Sequence, residues 1–484
     1  MRTEKEKIVD VCVYVDRPPL DCDEFERYVV NLVRCANISA LVGKNIPSDL
    51  LRNDLFPDIG RITVESELNS INFSIDWDEV KFRTHVVVLR TDEPESDFLD
   101  DGVSNTEECV SCAEVWQLPH ANYVDVWESL VFESTLKNDL FNFVEASLLF
   151  SKRGLPMRYL GNKLVFLHGP PGTGKTTLCH ALAQKLSVYM SSTFENSYLV
   201  QVNSHSLFSR WFSESGKLVT RLFDRIKEMV ENSKNLVVVL IDEIESLAMV
   251  RKASSEPSDS VRAVNALLTQ LDSLKRHENV LILTTSNLTE AVDSAFCSRA
   301  DIKRYVGLPS VRVMYEILRQ SCFQLKQSKC VRFDASGEME DKDFLRIFTP
   351  ERGRKAELAE ADAILESLLE NAKLSNVCNS SRSPDRRNEI ASEDASSKLK
   401  QIANLCVGLT PRTLEKLPLL VFSKHVVSHG KIEIDLFQYL EFLEQEVRAQ
   451  FRELKELNSA VNGHPNDGFC HDGRDRFRIA RRSQ

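Results

Sequence analysis

Apolar and polar residues alternate in two short runs near the amino terminus, VDVCVYVD at 9–16 and THVVVLRT at 84–91. A period of two turns one side of a strand toward a core, so both runs predict half-buried β-strands. Between them the period lengthens: Phe25, Val29, Leu32 and Val33 share one side of a helix. Residues 1–118 therefore read as an α+β domain that ends around RTDEPESDFLDDGVSNTEE, a polar, acidic linker or loop.

From about residue 122 the pattern changes again. NKLVFLHG, YLVQVN, LVVVLIDE and NVLILTTSN are nearly continuous apolar runs, separated by amphipathic stretches such as TTLCHALAQKL, in which Leu178, Leu182 and Leu186 recur every fourth residue. Strands apolar on both sides need cover on both faces, which predicts an α/β domain with a parallel sheet over 122–310. Residues 311–461 are mostly helical in pattern. They are broken at about 335–400 by an insertion rich in Ser, Arg, Asp and Glu, predicted to be disordered, as is the Gly- and charge-rich tail 462–484.

Composition narrows the possibilities. The 484 residues are 42% hydrophobic and 27% charged, enough for two or three domains with proper cores. A formal net charge of −11 argues against a dedicated nucleic-acid binder. No apolar run reaches the roughly 18 residues needed to cross a bilayer, and the start of the chain has no apolar signal core. The expectation is a soluble, intracellular protein. Of twelve cysteines, Cys109 and Cys112 form a C-x-x-C pair, but no second pair supplies the remaining zinc ligands. Buried, reduced thiols are the expected state.

The chemistry sits at the strand ends. Gly169, Pro170, Pro171, Gly172, Thr173, Gly174, Lys175 and Thr176 match G-x-x-x-x-G-K-[ST], directly after a predicted strand and before a helix that continues with Thr177. Glycines let the backbone wrap so that N–H groups face phosphate oxygens, and the helix start adds partial positive charge. Lys175 then pairs with the β- and γ-phosphates of ATP, and the Thr176 hydroxyl holds Mg2+. LVVVLIDE ends in two carboxylates: Asp242 suits Mg2+ and Glu243 suits polarisation of the attacking water. Asn287 closes the next strand, where its carboxamide can orient that water or cap the following turn. Arg299 lies beyond reach of its own site and suits the γ-phosphate of a neighbouring protomer. Together these predict an ATPase.

One loop does not fit a phosphate site. HSLFSRWFSESGKL places Trp211 and Phe212 among residues that belong in water. A DNA-directed motor, such as a clamp loader or helicase, is the alternative reading. It would line its channel with Lys and Arg, whereas Arg210 and Lys217 are offset here by Glu214.

The phosphate loop, Asp242–Glu243, Asn287 and the D-x-A-x-x-x-R-A-D run at 293–301 resemble the AAA+ ATPases. NSHSLFSRWFSESGKLVTRLF, LIDEIESL, EPSDSVRAVNALLTQLDSLKRHENVLILTTSN and RADIKRYVGLPS are similar to the pachytene checkpoint protein 2 family, also called thyroid receptor-interacting protein 13. The resemblance is dense from Val124 to Pro309 and returns at LTPRTLEKLP, where Arg412 matches a lid arginine that contacts ATP and Pro411 stands where the family commonly has glycine. The resemblance implies an AAA+ sheet with a helical lid behind a substrate- and adaptor-binding N-terminal domain, and a homo-hexameric ring. It implies ATP-driven conversion of HORMA-domain proteins in spindle checkpoint disassembly and meiotic axis and recombination control. The implied location is nucleus and cytoplasm, on chromosomes in meiosis, with no direct nucleic acid or membrane partner. It also places Trp211, Phe212, Ser213 and Glu214 on a loop facing the axis of the ring, where bulky apolar side chains grip a threaded peptide.

Overall fold

A computed structural model describes residues 7–17, 19, 21–35, 59–66, 80–95, 112–133, 135–153, 161–204, 215–245, 257–288, 294–332, 395–426 and 433–462. The first unit holds strands β1 (Lys7–Val15), β2 (Ile59–Ser66) and β3 (Val80–Val88) and helix α1 (Cys22–Cys35). The sheet order is β2-β1-β3, with β1 antiparallel to β2 and parallel to β3. Val9, Val11, Val13 and Val15 alternate along β1 onto one face, where Phe25, Val29 and Val33 of α1 cover them. The period-two and helical runs of the sequence thus meet as the two layers of one small core.

The second unit is a sheet of order β4-β6-β7-β8-β5-β9, built from β4 (Ala113–Leu118), β5 (Leu164–His168), β6 (Asn196–Val202), β7 (Asn235–Ile241), β8 (Val280–Ser286) and β9 (Ile302–Tyr305). Every pairing is parallel except β4 with β6. Alternate residues of the apolar strands serve opposite faces. Val237, Val239 and Ile241 join one core with Val219, Leu222 and Phe223 of α4 (Ser215–Glu231) and Leu267 and Leu271 of α5 (Pro257–Leu274). Leu236, Val238 and Leu240 join the other with Leu140, Val144 and Leu148 of α2 (Leu136–Lys152) and Leu178, Leu182 and Leu186 of α3 (Lys175–Tyr189). Both strand faces are buried, as near-continuous apolar runs require.

Strand β4 corrects the expected boundary of the first domain at residue 118. Its residues pair with β6, from Ala113 opposite Val202 to Leu118 opposite Ser197, so the large sheet begins before 118. A polar run upstream drew the boundary too late; the partner that claims β4 lies far along the chain.

The third unit packs α6 (Val311–Gln327), α7 (Ala395–Leu405), α8 (Pro411–Val421) and α9 (Leu436–Asn462) around Leu318, Leu399, Leu414 and Leu440. Two short strands, β10 (Val331–Arg332) and β11 (Ile434–Asp435), pair in parallel beside them. Helix α7 begins at Ala395, inside the stretch expected to be a disordered insertion. Ala395 and Leu399 are buried in the helical core, which shortens that expectation at its carboxyl end. Residues 333–394 and 463–484, which hold the rest of the insertion and the tail, lie outside the described residues.

Candidate active site

The phosphate loop leaves β5 at His168 and enters α3 at Lys175. Gly169 has φ 146°, and a Cβ there would meet the Val306 carbonyl oxygen at 2.2 Å, so only glycine lets the two backbones approach. Gly174 caps α3 in the left-handed region at φ 90°. The turn between them is tied by Thr173, whose hydroxyl donates to the Pro170 carbonyl at 3.0 Å. Pro171 and Thr177 sit at exposed positions of the loop and first helical turn.

Lys175 is buried, with its Nζ donating to the Gly169 and Pro170 carbonyls at 2.9 and 2.8 Å. Burial pushes its ammonium pKa below the ordinary lysine value, while Glu245, Asp242 and Glu243 pull the other way. A cation held among acids beside the loop is suited to phosphate oxygens, which would add the negative charge that burial leaves it short of.

Asp242 and Glu243 follow β7, and Asn287 follows β8, its parallel neighbour. The Thr176 hydroxyl donates to the Asp242 carboxylate, 2.9 Å from Oδ1 and 3.1 Å from Oδ2. A hydroxyl and a carboxylate so placed are hard oxygen donors, a set that fits Mg2+ sharing its remaining positions with phosphates and water. Glu243 is exposed at the strand end, and Asn287 Nδ2 donates to its Oε1 at 3.3 Å. The carboxylate expected to polarise water and the carboxamide expected to orient it are therefore neighbours. A carboxylate with one oxygen so held can still accept a proton from water on the other.

Arg412 comes to this site from the lid. Thr410 caps α8, its side chain accepting the Thr413 N–H at 3.3 Å, and Pro411 takes the first helical turn. Proline is favoured there because that N–H has no helical partner to lose. The Arg412 N–H then points to the Gly172 carbonyl at 3.4 Å, and Thr410 Oγ1 lies 3.1 Å from where a Gly172 Cβ would stand. The start of the lid helix thus faces the phosphate loop.

Arg299 does not join the site of its own chain. Its Nε and Nη2 both bond the Asp272 carboxylate of α5 at 2.9 Å, and Nη1 donates to the Ala295 carbonyl at 2.8 Å. Trp211, Phe212, Ser213 and Glu214 lie outside the described residues, as does Cys109.

Three contacts escaped the sequence reading. Leu130 and Phe132, ahead of α2, come within 3.6 and 3.9 Å of a Cβ built on Gly174, and so line the loop from the amino-terminal side. Ser204, buried at the end of the described segment 161–204, donates its hydroxyl to the Asp242 carbonyl at 2.5 Å. Leu130 and Phe132 are an ordinary apolar pair in sequence and Ser204 an ordinary loop serine; only the folded sheet brings them here.

Comparison with known proteins agrees with this geometry. Residues 165–308 match the family model described as ATPase family associated with various cellular activities (AAA). Residues 310–451 match the model described as TRIP13-like, AAA+ ATPase lid C-terminal domain. The chain is 39% identical over 393 residues to the pachytene checkpoint protein 2 homolog of Rattus norvegicus, covering 80% of each. To the homolog of Oryza sativa subsp. indica it is 45% identical over 351 residues, 71% of this chain and 66% of the rice protein. In Arabidopsis thaliana the match is 49% over 293 residues, 59% of this chain and 60% of the relative. Among solved structures, C. elegans PCH-2 superposes with a TM-score of 0.65 at 29% identity, over 92% of this chain and 99% of that one. With the phosphate loop, the paired carboxylates and the facing lid in one place, the chain belongs to the pachytene checkpoint protein 2 family of AAA+ ATPases.

Proposed function

We propose that this chain is the subunit of a homo-hexameric ring that spends ATP to convert HORMA-domain proteins from a closed to an open conformer. The observation that carries the reading is the constellation at the ends of β7 and β8: Thr176 on Asp242, and Asn287 on Glu243, beside a phosphate loop faced by the lid. Lys175 binds the β- and γ-phosphates, Glu243 takes the proton of the attacking water, and Asn287 keeps that water in line with the γ-phosphate. Thr176 and Asp242 would hold Mg2+, which supplies charge neutralisation at the phosphates. Arg412 reports the state of the nucleotide to the lid, and Arg299 serves the site of the neighbouring subunit.

The peptide-gripping role belongs to Trp211 and Phe212, in the segment that follows Ser204 in sequence. Ser204 itself bonds the Asp242 carbonyl, which ties the residue before that segment to the carboxylate turn. The N-terminal domain recruits substrate, through an adaptor. Checkpoint disassembly and the removal of meiotic axis proteins are the processes this activity serves, in nucleus and cytoplasm.

The test is a Glu243→Gln variant given ATP. It keeps the site's shape and binds nucleotide but turns over slowly, by roughly 10²-fold or more for loss of a positioned base. A purified HORMA-domain protein and its adaptor should accumulate on this variant with ATP and be released without it. ATP hydrolysis at the wild-type rate, or retention of single-stranded DNA lost steeply with salt in place of the protein, would overturn the reading.

A further inference from the structure

Backbone pairing of β7 with β8 runs no further than Ile241 opposite Thr284, yet the two turns beyond it stay together. Each is held by a residue of the other. Thr285, 1% exposed, donates its hydroxyl proton to Asp242 Oδ1 and accepts the Glu243 N–H at 3.2 Å. Its carbonyl accepts the Ile244 N–H at 3.0 Å. In the opposite direction, Glu245 Oε1 accepts the Asn287 N–H at 2.9 Å.

Two further observations show that these bonds hold something that would otherwise relax. Glu243 has φ 52°, in the left-handed region that a side chain with a Cβ adopts only at a cost. The Thr285 hydroxyl meets the N–H of that residue. Glu245 is 7% exposed, and its second oxygen, Oε2, is buried without a hydrogen-bond partner among the described residues. A buried carboxylate with one unsatisfied oxygen costs stability, so a merely structural Asn287 contact would be better served by a neutral group.

We infer that Thr285 and Glu245 are positioning residues for hydrolysis. Thr285 sets the Asp242–Glu243 turn, Glu245 sets Asn287, and the reciprocal bonds make the carboxylates and the carboxamide move as one body. The 3.3 Å contact of Asn287 with Glu243 is the product of this clasp. The inference rests on hydrolysis of ATP at this site, so wild-type turnover is measured first. A wild-type chain that does not hydrolyse ATP defeats that reading, whereas the variants below decide the clasp.

Thr285→Val keeps the shape of the side chain and loses the hydroxyl; Thr285→Ser keeps the hydroxyl and loses the methyl. A misaligned hydrolytic turn predicts kcat about tenfold lower in the Val variant, with KM for ATP within about threefold of wild type and kcat restored in the Ser variant. Affinity for fluorescently labelled ADP gives a second readout. Without Mg2+ it should match wild type, and the gain on adding Mg2+ should shrink in the Val variant because Asp242 is no longer oriented. Glu245→Gln, which retains the acceptor for Asn287, should turn over faster than Glu245→Ala. A Val variant at the wild-type rate, or a Ser variant slower than Val, would overturn the role of Thr285 in favour of packing. Equal loss in the Gln and Ala variants would overturn that of Glu245.

Discussion

Arg299 shows what a single side chain can and cannot say. Its guanidinium forks onto Asp272, the bidentate geometry expected when a planar cation meets a carboxylate. An exposed ion pair of this kind contributes about 0–1 kcal/mol to stability, so stability alone gives little reason for an arginine here. If Arg299 completes the site of the next subunit, Arg299→Ala should lower turnover by roughly 10³-fold or more and leave nucleotide affinity nearly intact. Mixing this variant with Glu243→Gln, each slow by itself, should then restore turnover, because an intact site meets an intact arginine across mixed contacts. No gain on mixing would place the effect of Arg299 within its own chain. The phosphate loop was legible at this scale because its glycines, lysine and threonine are contiguous and their spacing carries the chemistry. Thr285 and Glu245 were not: one reads as a strand residue and the other as the polar flank of a turn, and their partners lie some 40 residues away.

Strand register governs what the elements add. In the N-terminal sheet β1 and β3 pair in parallel with Asp10 opposite Arg83, and the Arg83 and His85 side chains both reach the Asp10 carboxylate. Burial opposes ionisation of Asp10, but the hydrogen bonds from His85 and Arg83 outweigh it and hold its pKa below the ordinary aspartate value. A carboxyl lowered in the folded state stabilises the fold above its unfolded pKa and loses that contribution as pH falls through the folded one. Acidification below about pH 4 should therefore lower the protection factors of amides in β1 and β3, that is, their exchange rates relative to the intrinsic rate at each pH. Asp10→Asn should lower those protection factors already at pH 7, by a destabilisation of about 1–3 kcal/mol, and flatten their acid dependence. Protection in the Asn variant that still falls at acid pH as in wild type would remove Asp10 from this role. Periodicity disclosed both strands and their helix, but not that β1 and β3 lie side by side. Likewise AEVWQL carries no mark that β6, far along the chain, will claim it as β4. Local pattern encodes an element, and long-range pairing decides its sheet.

Across the whole molecule, α3 joins what the sequence separates. It starts at Lys175 in the phosphate loop and ends at Tyr189 against the N-terminal sheet. There the Tyr189 ring lies tilted by 30° against His85, 4.5 Å between centroids, Arg83 lies over the same ring, and Val188 packs with Cys12 and Val87. Arg61 of β2 also pairs with Asp125 beside the large sheet. The N-terminal sheet thus rests on the far end of the helix whose first turn holds Lys175 and Thr176 of the phosphate loop, and rigid helices carry small displacements along their length. At the other edge of the site, the lid start at Arg412 touches Gly172. The N-terminal sheet, the candidate hydrolytic site and the lid are thus in contact through α3 and the phosphate loop. The most direct measurement follows a purified closed HORMA-domain protein, with its adaptor, by ion-exchange chromatography or NMR as ATP is added to this chain. The wild-type protein should convert the closed form to the open form only while ATP is hydrolysed, and both Glu243→Gln and Trp211→Ala should fail to convert it. Steady hydrolysis with the closed form untouched, or conversion by Trp211→Ala at the wild-type rate, would contradict the account.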